Sequence, residues 1–364
     1  MTRKKINVGI LFGGKSAEHE ISVRSAKNVI DAIDKEKYNP ILIGIDKSGK
    51  WFLQDESRFL LDAGHPKPLS PGSTAQSVAL IPQSEGKLSN LAHSGSEKSI
   101  DVVFPILHGP FGEDGTIQGL LKLANIPFVG ASVLGSAVGM DKDVMKRLLR
   151  DAKIPVAKFL VFHKRDVLDY SKIVKQLGTP FFVKPANLGS SVGISKVTEK
   201  AMFDKSVHAA FQYDSKIIME EYIRGREIEC AVMGNETPEA SVPGEIIVKH
   251  DFYSYEAKYL DETGAELEIP AKLPKKTSSL IQELAIQTFK TLSCEGLARV
   301  DFFLRTDGKV FVNEINTIPG FTSISMFPRM WEASGISYPE QIDRLIQLAI
   351  ERFEKERRLK TSYT

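Results

Sequence analysis

Cysteine is nearly absent from this chain: 364 residues carry only Cys230 and Cys294. Two thiols supply neither a disulfide framework nor a cysteine-rich zinc site, and both read as buried free thiols of a reducing compartment. Strong charge of either sign is also missing. Lys and Arg total 48 against 46 Asp and Glu, a net +2 that gives no bulk attraction for nucleic acid. No apolar run is long enough to span a bilayer. The basic-then-apolar opening stops at Gly13-Gly14 after a strand's length, so it does not follow a signal-peptide pattern and no membrane partner is expected. Internal repeats and low-complexity tracts are lacking too. What is there, 42% hydrophobic and 26% charged residues, is the composition of a globular, enzyme-sized protein expected in the cytoplasm. Its length calls for two or three domains.

Residues 296–320, GLARVDFFLRTDGKVFVNEINTIPG, form the most informative stretch. Alternation and Val/Phe content predict strands over 298–305 and 310–315, joined by the turn Thr306-Asp307-Gly308-Lys309. Asp301 lies on the first strand. Glu314 and Asn316 end the second and, two apart, share a face. An Asp, a Glu and an Asn converging there make an all-oxygen site suited to Mg²⁺ bridged to phosphates; a solvated hairpin face is the plain alternative.

At the N-terminus, residues 6–12 predict a strand, then Gly-Gly, then a helix with Val23, Ala26, Val29 or Ile30, and Ile33 inward, then a strand over 41–45. This βαβ unit implies a parallel sheet with ligands beyond the strand C-termini, where residues 13–18 lie. The loop lacks the Walker A spacing, and Ser16 and Ser22 also suit helix caps. Residues 54–98 read as loop and short edge strands. A buried strand over 102–107 leads into His108-Gly-Pro-Phe-Gly-Glu-Asp-Gly and a helix over 117–124, a turn that offers free N–H groups to an anion. His108 there suits a structural or a functional role.

A helix over 141–150 follows the small-residue stretch 130–139, which is placed at a domain boundary. The strand 181–184 ends in Lys184 and runs into a Gly/Ser loop with Gly189, Ser190, Ser191 and Gly193, a phosphate-binding arrangement. The strand 216–220 runs into the acidic linker EEYIRGRE, able to hold adenine and ribose or simply to be solvated. Residues 249–274 carry no period long enough to pack and are expected to form a mobile active-site loop. Amphipathic helices are predicted over 279–292, beside the hairpin, and over 340–357.

Together these motifs resemble the D-alanine–D-alanine ligases of the ATP-grasp superfamily over nearly the full length: GGKSAEHEIS, HGPFGEDGTIQG, MDK at 140–142, VKPANLGSSVG, EEYIRGRE, YEAKYLDE and RVDFF with NEINTIPGFTSIS. The resemblance implies an α/β fold, α+β in its ATP-grasp part. A Rossmann-like N-terminal domain over 1–139 would be followed by a central ATP-grasp domain over 140–222 and a C-terminal one over 223–364. It implies two Mg²⁺ or Mn²⁺ ions on Asp301, Glu314 and Asn316. ATP phosphates would meet Lys142, Lys184, Ser191 and, from the mobile loop, Lys258. Adenine would sit at Glu220, Glu221 and Ile223, and ribose at Glu227. Glu18 would take the amino group of the first D-alanine and join Ser190 and Tyr259 in a closed lid. Arg299 and Gly320 N–H would form the oxyanion hole, and Ser325 would bind the carboxylate of the second D-alanine. His108 falls at a family active-site position, and a homodimer is expected.

The implied reaction phosphorylates one D-alanine carboxylate with ATP; the amine of the second then displaces phosphate, for peptidoglycan precursor synthesis. Tyr259 follows the dipeptide-forming pattern rather than that of D-alanyl-D-lactate ligases. A different ATP-grasp ligase is the other enzymatic reading, and a degenerate nucleotide-binding protein the non-enzymatic one. Ile324 stands where certain members have His, Glu221 where many have Lys, and 54–98 is longer than in the shorter members.

Overall fold

The computed structural model describes residues 4–62, 76–91, 98–248, 265–360 and 362. The first unit is built on β1 (Ile6–Gly13), α1 (His19–Ala32), β2 (Tyr38–Ile45), β3 (Trp51–Gln54), α2 (Glu56–Asp62), β4 (Val78–Leu80), β5 (Leu88–Asn90), β6 (Val102–Ile106) and α3 (Thr116–Leu123). Its main sheet runs β3-β2-β1-β6, with β1 parallel to β2 and β6 and β3 antiparallel at the edge. From Val8 onward strand β1 is apolar and buried because both faces are covered. Val8, Ile10 and Phe12 pack with Val23, Ala26, Val29 and Ile30 of α1, while Leu11 faces Ile117 and Leu121 of α3. Ser22 caps no helix. Its hydroxyl accepts from Gly13 N–H at 2.7 Å and donates to the Ile106 carbonyl, joining the ends of β1 and β6 where the loops that follow both strands begin.

The second unit contains α4 (Val133–Met140), α5 (Lys142–Asp151), β7 (Phe159–His163), α6 (Tyr170–Leu177), β8 (Phe181–Pro185), β9 (Ser195–Val197), α7 (Lys200–Ala210) and β10 (Lys216–Glu221). Its antiparallel sheet runs β7-β10-β8-β9. Phe181, Val183, Ile217 and Met219 pack with Ile173, Leu177, Phe203 and Val207 of α6 and α7. Helix α5 starts where it does because Asp141 caps it, its Oδ1 accepting from the N–H groups of Asp143 and Val144 at 3.1 Å.

The third unit comprises β11 (Gly225–Gly234), β12 (Glu239–Ala240), β13 (Gly244–Val248), β14 (Ala265–Glu268), α8 (Lys275–Thr291), β15 (Gly296–Arg305), β16 (Val310–Asn316), α9 (Met326–Ala333) and α10 (Tyr338–Glu356). The antiparallel sheet runs β14-β13-β11-β15-β16, with β12 beside β11. Alternation sets its two faces. Ile228, Cys230, Val300 and Phe302 meet Ile281, Leu284 and Phe289 of α8. Ala231, Met233 and Leu297 join a core with Phe327, Trp331, Ile342 and Leu345 of α9 and α10, continuous with the α1 side of the first unit.

Two expectations are corrected. Residues 54–98 are not only loop and strand, since they contain α2; the pattern at 56–62 is too short for periodicity to reveal. The small-residue stretch before Asp141, on whose conformation no expectation was set, carries α4, whose Gly139 lets the chain lie against Ile315 and Thr317. The end of the expected mobile loop is strand β14, fixed by pairing with β13 rather than by any pattern of its own. Residues 249–264 lie outside the described residues. Both cysteines are free and buried, and desolvation pushes each thiol up to about 12.

Candidate active site

The hairpin of β15 and β16 forms as expected, with Asp301 opposite Glu314 and Arg299 opposite Asn316. A bulge after Asp301 shifts the register so that Phe302 faces Val312. Asn316 Nδ2 donates to Asp301 Oδ2 at 2.9 Å, which brings the three oxygen-bearing side chains together. Cations lie against both carboxylates: Arg299 grips Asp301 through two bonds of 2.7 and 2.8 Å, and Lys142 Nζ is 3.3 Å from Glu314 Oε2. Among the described residues no three His, Cys, Asp or Glu side chains converge as metal ligands; this donor set is two carboxylates and an amide. Those oxygens, already arranged around positive charge, fit a hard divalent cation.

Across the cleft stand the lysines. Lys142 opens α5 and donates to the Leu188 carbonyl at 2.8 Å. Lys184 ends β8 and pairs with Glu220 of β10. One cavity is lined by Lys142, Lys184, Ser190, Ser191, Glu227, Asp301 and Glu314, the two serines in left-handed backbone at φ 54° and 59°. An adjoining cavity shares Lys184 and Glu227 with it and adds Glu220, Glu221 and Ile223. Of the residues expected at phosphate, ribose, adenine and metal, Lys142, Lys184, Ser191, Glu227, Glu220, Glu221, Ile223, Asp301 and Glu314 line these two adjoining cavities between the antiparallel sheets, with Asn316 held to Asp301 beside them. Glu220 is buried, and Glu221 turns to accept from Lys158 N–H at 2.8 Å. Although burial works against its charge, Glu220 is held down at about 2 by Lys146 and Lys184.

The loops of the first unit close the far end. Glu18 is buried and lies against Gly109, whose backbone at φ 74° is the left-handed conformation that favours glycine where the two loops meet. His108 is buried, and its Nδ1 must carry the proton it donates to the Ile318 carbonyl at 3.0 Å. Its Nε2 has no hydrogen-bond partner among the described residues. Burial lowers the His108 pKa, against the pull of Glu18. Arg299, whose pKa stays well above its ordinary value despite burial because Asp301 and Glu229 face it, links this end to the hairpin. Gly320 and Ser325 also meet: a Cβ on Gly320 would lie 3.2 Å from Ser325 Oγ, which accepts from Thr322 N–H at 3.1 Å. Lys258 and Tyr259 lie outside the described residues, so the lid formed with Glu18 and Ser190 is not described.

Three buried or half-buried groups of the site escaped sequence reading. Lys146 lies one helical turn after Lys142, on the same face, and pairs with Glu220 at 2.6 Å. Glu229, two residues after Glu227 on β11, pairs with Arg299 at 2.9 Å. Glu113 accepts from Gly109 N–H at 2.6 Å and Ile318 N–H at 3.3 Å. The i,i+4 and i,i+2 spacings were the available signals for the first two; Glu113 stood within a motif quoted only as a whole.

Two antiparallel sheets enclosing a cleft of lysines and carboxylates, after a parallel α/β unit, define an ATP-grasp ligase. A family model described as D-ala D-ala ligase N-terminus matches residues 7–131, and one described as D-ala D-ala ligase C-terminus matches residues 148–347. The D-alanine–D-alanine ligase of Oceanobacillus iheyensis is 54% identical over 98% of this chain and 99% of its own. The structure of the D-alanine–D-alanine ligase from Coxiella burnetii aligns with a TM-score of 0.88 at 42% identity, covering 98% of this chain and 97% of that one. The VanG D-Ala:D-Ser ligase of Enterococcus faecalis aligns at 0.85 and 35% identity, covering 95% and 100%. The chain belongs to the D-alanine–D-alanine ligase family.

Proposed function

We propose that this cleft catalyses ATP-dependent joining of two D-alanine molecules to D-alanyl-D-alanine, releasing ADP and phosphate, for peptidoglycan precursor synthesis. The observation that carries the reading is the meeting of Lys142, Lys184, Asp301 and Glu314 in one cavity. Phosphorylating a carboxylate sets anion against anion, and such a cavity supplies cations to phosphate oxygens with carboxylates beside them.

Adenine lies at Glu220, Glu221 and Ile223, ribose at Glu227, and the phosphates at Lys142, Lys184 and Ser191, with Lys258 closing over them. Asp301, Glu314 and Asn316 would hold two Mg²⁺ or Mn²⁺ ions, which would supply charge neutralisation to the phosphates. Glu18 binds the ammonium of the first D-alanine, and Ser190 and Tyr259 close with it to exclude water from the acyl phosphate. A carboxylate oxygen of this D-alanine attacks the γ-phosphorus and ADP departs. Ser325 holds the carboxylate of the second D-alanine, whose free amine attacks the acyl carbon. The carbon–oxygen bond to phosphate breaks, phosphate leaves, and the amine sheds a proton. Arg299 and Gly320 N–H donate to the oxyanion formed on the way, a contribution of about 3 kcal/mol per donor in comparable sites. His108, with Nε2 free to accept, sits between Glu18 and Arg299 as a substrate-side contact. The enzyme works as a cytoplasmic homodimer, which sedimentation of the purified protein checks.

The test is a product assay with ATP, Mg²⁺ and D-alanine, with D-lactate or D-serine as competing acceptors. Phosphate release matched by D-alanyl-D-alanine supports the reading. A dominant depsipeptide or D-alanyl-D-serine would contradict the assigned acceptor, and turnover without D-alanine would contradict the substrate class.

A further inference from the structure

Lys146 has no part in the reaction as described, yet it is among the most buried charges of the molecule. Its side chain is 1% exposed, and the Glu220 side chain beside it 3%. The ammonium makes two contacts on two different sheets. It pairs with Glu220 Oε1 at 2.6 Å on β10 and donates to the Asn313 carbonyl at 2.9 Å on β16. Asn313 is the residue left over at the bulge, next to Glu314. A single amine from α5 therefore pins the floor of the cleft on which the two sheets face each other.

The second consequence is electrical. Glu220 spends its other oxygen on Lys184, so one buried carboxylate stands between two ammonium groups and the trio carries one surplus positive charge. A lone Lys184–Glu220 pair would be neutral and closed, with little left to attract an anion. Sharing the carboxylate with Lys146 leaves Lys184 electrostatically open on the side that faces the cavity. We propose that Lys146 is a positioning residue for phosphate binding: by drawing on Glu220 it keeps Lys184 available to the nucleotide phosphates. Glu220 accordingly serves as the switch point between the linker and the phosphate site, beyond its place beside adenine. The depressed value of Glu220 and the raised value of Lys184, maintained by Glu220 against burial, agree with an ionised carboxylate beside Lys184; burial lowers Lys146, and the facing Glu220 and Glu314 carboxylates oppose that.

This inference rests on the ATP reading of the cleft, and its test separates the two. Binding of ADP and of adenosine is measured for the unaltered enzyme, Lys146→Met and Lys146→Gln, with melting curves to verify folding. Lys146→Gln keeps a donor for the Asn313 carbonyl and removes only the charge, so it serves if Lys146→Met does not fold. The expected result is ADP affinity weakened on the order of tenfold, the coupling typical of one ion-pair network, with adenosine affinity unchanged. Adding Glu220→Gln to either variant removes the carboxylate that captures Lys184, and ADP affinity recovers relative to adenosine. Equal loss for ADP and adenosine means general distortion of the cleft and overturns the proposal, as does unchanged ADP affinity. Failure of the unaltered enzyme to bind ADP would instead remove the ATP reading itself.

Discussion

His108 and Glu113 hold opposite ends of the Ile318 backbone: the imidazole Nδ1–H donates to its carbonyl at 3.0 Å, and the Glu113 carboxyl accepts from its N–H at 3.3 Å. Both side chains come from the loop after β6, and Ile318 lies two residues before Gly320. The first unit thus fixes the segment that carries Gly320, the proposed oxyanion donor.

Glu113 makes this clamp sensitive to pH. Burial, then the nearby Glu18 charge, push its carboxyl up to about 8 from an ordinary 4.5. A raised folded-state value favours the protonated form, so its stabilisation is complete below pH 4.5 and is lost as pH rises through about 8. Glu113→Gln, neutral at every pH, should flatten the fall in stability between about pH 4.5 and 8, the window those two values define. Urea titrations across that range check it; parallel curves for both proteins would refute the assignment.

Glu314→Ala removes the carboxylate that faces both Asp301 and Lys142. Turnover should drop by about 10²–10³-fold or more, the scale for deleting one preorganised electrostatic group. Chelation of divalent ions should likewise stop turnover, and Mg²⁺ or Mn²⁺ should restore it in the unaltered enzyme. Retained phosphate release in the variant would argue against the metal assignment.

Arg299→Lys keeps the charge but loses the two-pronged grip on Asp301 at 2.7 and 2.8 Å. Because Arg299 is assigned to the amide-forming step, the variant should waste ATP. Phosphate release per dipeptide should rise several-fold, roughly the effect of losing one oxyanion donor only in part. A ratio that stays at one per dipeptide while both rates fall would place Arg299 elsewhere in the mechanism.

Phe289 of α8 is fully buried behind the β15–β16 hairpin. Phe289→Ala should cost about 3–5 kcal/mol of stability from lost burial and an unfilled cavity. Denaturant unfolding measures this, and a loss under about 1 kcal/mol would mean that the core behind β15 relaxes freely.

Much of this was legible in the sequence where local rules and tertiary structure agree. The β1-α1-β2 unit announces itself because a buried strand needs a continuous apolar run and a surface helix needs three-to-four spacing. The hairpin was readable because Gly308 sits at φ 83° in the turn between two alternating strands. Helix α2 and strand β14 were not readable, being too short for a period and held by neighbours distant in sequence. The cleft residues could be named from motifs, but not the charges between them. Lys146 meets Glu220 across 74 positions of chain (220 − 146), and Glu113 meets Ile318 across 205. Only its i,i+4 spacing from Lys142 sets Lys146 apart from a solvated helix lysine.

The central claim is that this cleft activates D-alanine as an acyl phosphate, and oxygen tracing tests it most directly. D-alanine labelled with ¹⁸O at both carboxylate oxygens is turned over with unlabelled ATP and Mg²⁺, and the products are weighed. Acyl phosphate formation moves one labelled oxygen into each released phosphate and leaves three in each D-alanyl-D-alanine. Phosphate free of label, with dipeptide still formed, would contradict the account.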